Sequence, residues 1–229
     1  MKVLRLKLFQ ETACYKKPHA CKVSETYPLP PFSTVKGMLH AVMDARTLIP
    51  MKLCIQGEYD TIISDYQTHY FFKKDKTDEF ALTADGLGIT RKLADITTMP
   101  IYRHLLYHVH LTIFVQAEAN ILQQLQERIC SSCHISLGRW EDLVRVDECE
   151  IVELTEVEDA DLTLHAFVPA KFIRDSSYIP YRLNWTYRIV NGVRVWDKIE
   201  AGYVQKGSAI EADEGIWVDD EETAVFFHE

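Results

Sequence analysis

The chain has 229 residues, enough for one large domain or two small ones sharing a core, and its 47% hydrophobic and 26% charged composition is that of an ordinary globular protein. No apolar run approaches the ~20 residues that span a membrane, and the start MKVLRLKLFQ lacks the unbroken apolar core and cleavage site of a signal peptide, so a cytoplasmic protein is expected. The six cysteines (Cys14, Cys21, Cys54, Cys130, Cys133, Cys149) are too sparse for a disulfide scaffold, and the net charge of −9 argues at first against a nucleic-acid binder.

That total hides a segregation. Residues 1–60 carry nine Lys/Arg against five Asp/Glu, and residues 166–200 carry six against three. Residues 111–165 carry three against twelve, and residues 201–229 one against eight. A basic and an acidic surface on one molecule can serve two partners; alternatively, acidic loops only keep the protein soluble.

In residues 2–10, Val3, Leu4, Leu6 and Leu8 alternate with Lys2, Arg5 and Lys7, which predicts a strand with an apolar and a basic face. A polar loop with Lys16, Lys17, His19 and Lys22 follows. Pro28, Pro30 and Pro31 impose extended backbone, and Ser33 or Thr34 is the natural N-cap of a helix beginning VKGMLHAVMDAR. Residues 51–72 read as strands, 73–90 as a loop or hairpin tip, and LLYHVHLTIFVQ (105–116) as a strong strand. Then come a helix with Ile121, Leu122, Leu125 and Ile129 on one face, the glycine turn SLGRWED, and the strand VRVDECEIVEL.

Strand, helix, strand, excursion, strand, helix, strand is the split βαβ order of an α+β, ferredoxin-like (RRM-like) domain. Two helices then cover one face of an antiparallel sheet, and the other face stays free. RNA-recognition domains use that face or its connecting loops, but the architecture also serves enzymes. Residues 1–155 are assigned to this domain and 156–229 to a small β-rich C-terminal appendage. There, Asn191–Gly192 between WTYRIV and VRVWDKI signals a hairpin, and the acidic tail ends in a packed strand through Val225, Phe226 and Phe227.

The segment ETYPLPPFSTVKGMLHAV resembles the signature of the Cas-five family, RAMP-type subunits of type I CRISPR surveillance complexes (Cascade). The pattern is a tyrosine–proline run, a proline–x–Ser–Thr junction and a glycine in the first helical turn; SLGRWEDLVRV at 136–146 resembles the family's glycine-rich loop. The resemblance covers the first 155 residues and is nearest to type I-B. It implies a non-catalytic subunit that holds the 5′ handle of the CRISPR RNA and caps the foot of the complex. Partners would be the Cascade backbone and large subunits, with target DNA met only indirectly and no membrane. It also implies a hairpin thumb between the second and third strands, here within 66–104, and a candidate RNA site.

The residues fit such a site. Rigid prolines lower the entropic cost of binding, and a helix start attracts phosphate. The candidates are Tyr27, Ser33, Thr34, Lys36 and Gly37 at that start, with Gly37 open to another backbone, either RNA or the turn at 137–138. Lys16, Lys17, His19 and Lys22 in the first loop, Arg91, Lys92, Arg103 and His104 flanking the thumb, and Gly138, Arg139 and Trp140 in the glycine turn complete the set. Interleaved cations and aromatics suit splayed single-stranded nucleotides. The bland reading is a well-made helix start and solvated surface charge.

Cys130–Ser–Ser–Cys133–His134 matches a haem-attachment pattern but lacks an export signal, and a zinc site lacks a second ligand pair, so no cofactor or metal is expected. His108 and His110 share a strand face and His104 lies outside in the loop, with no carboxylates evident for a metal. One Cas-five branch, in type I-C systems, cuts precursor RNA without metal through Tyr, Lys and His. No Lys–His pair stands beside the third strand here, Arg103–His104 being the nearest, so the nuclease is the runner-up. A third possibility is a ferredoxin-like interaction module that never meets RNA.

Overall fold

A computed structural model describes residues 1–18, 20, 23–72, 96–132, 134–173 and 177–228. Strand β1 runs Lys2–Ala13, β2 Val23–Ser24, α1 Phe32–Val42, β3 Lys52–Glu58, β4 Thr61–Phe72, β5 Ile96–Gln116 and α2 Ala119–Ser131. Then follow β6 Arg145–Glu153, β7 Thr155–Asp161, β8 His165–Pro169, β9 Tyr178–Val190, β10 Val193–Val204, β11 Ala209–Val218 and β12 Ala224–Phe226. The described chain is mostly β, with two α-helices.

The main sheet runs β6-β1-β5-β3-β8-β10-β9, with β2 and β4 also paired to β5. Neighbours β6, β1, β5 and β3 are antiparallel throughout. Residues after 156 extend this sheet: β8 pairs with β3 through Gln56↔Ala166, and β10 and β9 continue from it. The hairpin signal at 191–192 is realised, with both turn residues at positive φ (51° and 74°) and Val190 opposite Val193.

Period-two alternation assigns each strand residue to one of two cores. Leu4, Leu6, Leu53, Ile55, Ile113, Val115 and Phe167 point under the helices, where they meet Phe32, Val35 and Leu39 of α1 and Leu122, Leu125 and Ile129 of α2. Their neighbours Val3, Cys54, Phe114, Ala166 and Val168 point the other way, against Ile210, Ile216, Val225 and Phe226. The second face is therefore covered, whereas the split βαβ order predicts that it stays free. The three-stranded sheet β12-β11-β7 covers it, because those residues are too apolar to face water.

The basic face of β1 is closed off in the same way. Arg5 is buried and donates to Asp219 and Asp220 (2.7 Å each) and pairs with Glu148, while Lys7 pairs with Glu148 and Glu221. Burial disfavours the Arg5 charge, but these carboxylates outweigh it and push its pKa up. Part of the acidic tail thus neutralises the N-terminal strand.

Among the described residues β5 pairs with four strands of the main sheet. On one edge its second half pairs with β3 and its first half with β4, from Thr61↔Tyr107 to Phe72↔Ile96; on the other edge β1 reaches Leu106 and β2 takes Tyr102 and Arg103, so the β4–β5 arm is two-stranded only from residue 101 outward. Twelve pairs at ~3.4 Å make an arm of about 40 Å. The switch falls at His108, whose φ is +49°.

Candidate nucleic-acid interface

The glycine turn is anchored from beneath. Gln10 on β1 donates to the carbonyls of Leu137 and Asp142 (2.9 and 3.0 Å), and the buried Tyr15 hydroxyl donates to Gln10 (2.6 Å). The Asp142 carboxylate accepts from the backbone N–H of Cys14 and Arg139 (3.0 and 2.9 Å). Arg139 closes the turn with Asp142 (2.6 Å) and Glu141 (2.9 Å), so its guanidinium is 14% exposed and engaged within the turn. Burial works against its charge, and the two carboxylates more than offset that, so its pKa is raised. Trp140, at the tip, is 86% exposed.

The first loop folds against this turn. Tyr15 and Lys17 pair with Tyr27 and Glu25 through backbone bonds of 2.8 Å, and Lys16 bridges Thr26. β2 then lies along β5, placing Ser24 opposite Arg103 and Val23 opposite Tyr102. The Cys14 thiol reports the convergence: burial pushes its pKa up, and Arg139, Arg103 and Lys16 pull against that shift. Lys16 is exposed, and Lys17 is held by Glu25 at 3.2 Å. Tyr102 is 53% exposed and meets Tyr66 edge-on at 5.3 Å. First loop, root of the β4–β5 arm and glycine turn therefore form one corner carrying Lys16, Arg103, Tyr102 and Trp140. His19, Lys22, Arg91 and Lys92 lie outside the described residues.

The start of α1 differs from expectation. Pro31, not Ser33 or Thr34, is the N-cap, and its carbonyl accepts from the N–H of Thr34 (2.9 Å) and Val35 (3.2 Å). Phe32 is fully buried on Phe167, Trp185 and His228, and seating it draws the helix start ahead of the hydroxyls. Ser33 and Thr34 are half-buried in the first turn, and Tyr27 packs edge-on against Tyr181. Gly37 does not face the glycine turn: no described atom lies within 4 Å of a Cβ built on it, whereas Gly138 abuts Cys14 and Tyr15. Instead, Lys36 and Gly37 line a cleft of about 470 Å³ that also touches Ser33, Trp185, Arg194 and Trp196.

The histidines also depart from expectation. His104 lies within β5 opposite Ser64, not in a loop. His108 and His110 both contact Phe9, so they share a face, but His108 has two carboxylates beside it, Asp60 (2.9 Å) and Glu11 (3.4 Å). Among the described residues no three ligands converge on a metal position, and Cys133 of the haem-like pattern lies outside them. No helix among the described residues is long and apolar enough to cross a membrane.

A family model described as CRISPR-associated protein (Cas_Cas5) matches residues 3–201. The chain belongs to the Cas-five family. No curated protein matches it in sequence. Among the solved structures that share this fold are two whose likeness spans nearly the whole chain. One is a chain of a CRISPR RNA-guided surveillance complex, 15% identical with a TM-score of 0.54 over 96% of this chain and 92% of that one. The other is a CRISPR protein from Archaeoglobus fulgidus, 11% identical with a TM-score of 0.53 over the whole of both chains.

In this Cas-five chain, sequence reading missed the aromatic wall of the cleft. The signal was present: the Asn191–Gly192 turn sets 190 opposite 193 and therefore Tyr187 opposite Trp196, with Arg194 beside them. What it could not show is that this wall folds back on α1. The glycine requirement, by contrast, is specific. Gly138 has φ +111°, and a Cβ there would sit 2.8 Å from Asp142 Oδ2 and 3.2 Å from the Cys14 carbonyl. Gly138→Ala should cost about 1–2 kcal/mol from the left-handed backbone alone. Chemical denaturation measures it, and a change under ~0.5 kcal/mol would refute the role assigned to this glycine.

Proposed function

We propose that this chain is the non-catalytic RNA-binding subunit of a type I CRISPR surveillance complex, holding the 5′ handle of the guide RNA at its foot. The observation that carries the reading is the corner where first loop, arm root and glycine turn meet. It brings Lys16 and Arg103 into the same corner as the exposed rings of Tyr102 and Trp140. The strand order β6-β1-β5-β3 supports the ferredoxin-like reading, and the β4–β5 arm takes the place of the thumb. With the open sheet face covered, loops remain as the RNA surface. Backbone and large subunits of the complex are the partners this reading names. A net charge of −9 makes binding to isolated RNA weak and assembly-dependent.

Expressed with its neighbouring subunits, the chain should co-purify with a short RNA of fixed 5′ end. Tyr102→Ala combined with Trp140→Ala should cut the recovered RNA at least about ten-fold, since each stacked base is worth roughly 1–3 kcal/mol. A complex that carries no RNA, or recovery unchanged by both substitutions, overturns the proposal.

Metal-independent cleavage is a second reading, favoured by one observation: His108 occupies a left-handed conformation next to Tyr107, and such strain gathers at functional sites. It ranks second because Glu11 and Asp60 beside the imidazole would repel a phosphodiester. Precursor repeat RNA incubated with the chain in EDTA should stay intact; specific cleavage would reverse the ranking.

A further inference from the structure

The cleft between α1 and the β9–β10 hairpin is chemically distinct from the corner. One wall holds Trp185, Tyr187 and Trp196; the cations Lys36, Arg46 and Arg194 also line it. Among the described residues none of those lining it is a carboxylate, in a chain that carries nine more acids than bases. Lys36 is 7% exposed, and its Nζ sits 3.1 Å from the centre of the Trp185 ring. Among the described residues this ammonium has no anionic partner, and burial pushes its pKa down to about 8. The Arg194 guanidinium stacks 4.2 Å from Tyr187 and 5.5 Å from Trp196. A buried cation held only by a π-face still lacks the anion that would compensate its desolvation. The volume of about 470 Å³ falls within the ~300–1,000 Å³ of small-ligand sites.

We propose that this cleft is a nucleotide pocket, taking one splayed nucleotide of a single-stranded RNA. The base lies on the Trp185–Trp196 wall and the phosphate meets Lys36, Arg46 and Arg194. Planar π-faces with interleaved cations fit a base and its phosphate together. An apolar protein side chain would satisfy the wall and leave Lys36 without an anion. The inference rests on the reading of the chain as an RNA-binding subunit, and it adds a second contact point on a different set of elements.

The test is zero-length photocrosslinking of the purified complex, rebuilt on a guide RNA carrying 4-thiouridine, with the adducts mapped by mass spectrometry. Adducts are expected on the peptides containing Trp185 or Trp196. Arg194→Glu should lower that yield about ten-fold while leaving adducts at Tyr102 and Trp140 unchanged. Trp196→Phe, which keeps a stacking face and guards against loss of fold, should stay within about two-fold of the parent. Adducts at the corner but none in the cleft overturn the pocket and leave the RNA-binding reading standing. Adducts at neither place overturn both. Excess 5′-nucleoside monophosphate that competes the cleft adducts away would show that the pocket accepts the free nucleotide as well as the strand.

Discussion

Asp219→Ala should destabilise the fold by about 3 kcal/mol, the combined cost of one buried charge-assisted hydrogen bond and of two N–H groups left without their acceptor. The Asp219 side chain is fully buried. One oxygen accepts from Arg5 (2.7 Å), and the other accepts from the N–H of Thr223 (2.8 Å) and Glu221 (3.0 Å). Alanine would take away the one fully buried carboxylate of the Arg5 network, leaving Arg5 to the more exposed Glu148, Asp220 and Glu221, and would release the turn leading into β12. β12 supplies Val225 and Phe226 to the second core, so the loss should spread to the cover of the sheet. Asp220 also touches Arg5, but its side chain is 67% exposed, and Asp220→Ala should cost no more than ~1 kcal/mol. Urea unfolding followed by tryptophan fluorescence separates the two. Equal costs for both substitutions would show that burial is not what gives this network its value.

Acid should remove about 3 kcal/mol of stability between pH 6.5 and pH 4 through His228. Burial drives its pKa down to about 4, only partly opposed by the bond from Nε2 to the Phe167 carbonyl. Its ring packs on Phe32 at 4.6 Å. With an unfolded value near 6.5, the unfolded chain binds the extra proton first. The contribution is therefore whole above pH 6.5 and fades as pH falls toward 4; at 1.36 kcal/mol per unit the interval is worth about 3 kcal/mol. Glu148 acts in the same sense at lower pH. Burial opposes its ionisation, but Lys7 and Arg5 hold its carboxyl below the usual range, and protonation forfeits those pairs. His228→Gln keeps an N–H for Phe167 and removes this titration, so its stability should fall much less over the same interval, the remainder coming from His165, whose pKa burial also lowers. A wild-type curve equally shallow between pH 6.5 and 4 would refute the assignment.

Several features could be read locally because a local rule dictates them. The alternation in β1, the buried stripe of α2, the helix after the proline run and the 191–192 hairpin each follow from spacing within about ten residues. The proline–helix signature and the glycine turn carried the family, which the match over residues 3–201 bears out. The site was legible only as a set of residue types. Arg139 stands among the expected RNA cations and is bound by Asp142 and Glu141; of the two backbones expected to approach Gly37, RNA or the glycine turn, the turn is not the one, since Gly37 opens on the cleft with Trp185 and Trp196.

Sequence by itself thus determined which faces of each strand and helix are apolar, because side-chain periodicity is a property of neighbouring residues. Only the tertiary structure decided what each face meets. Arg5 lies 214 residues from Asp219, and Lys36 lies 149 from Trp185. Such pairings depend on how the sheet twists, where β5 changes partners and which segment returns to cover it. Those outcomes are settled by burial summed over the whole molecule, which no single stretch of chain records.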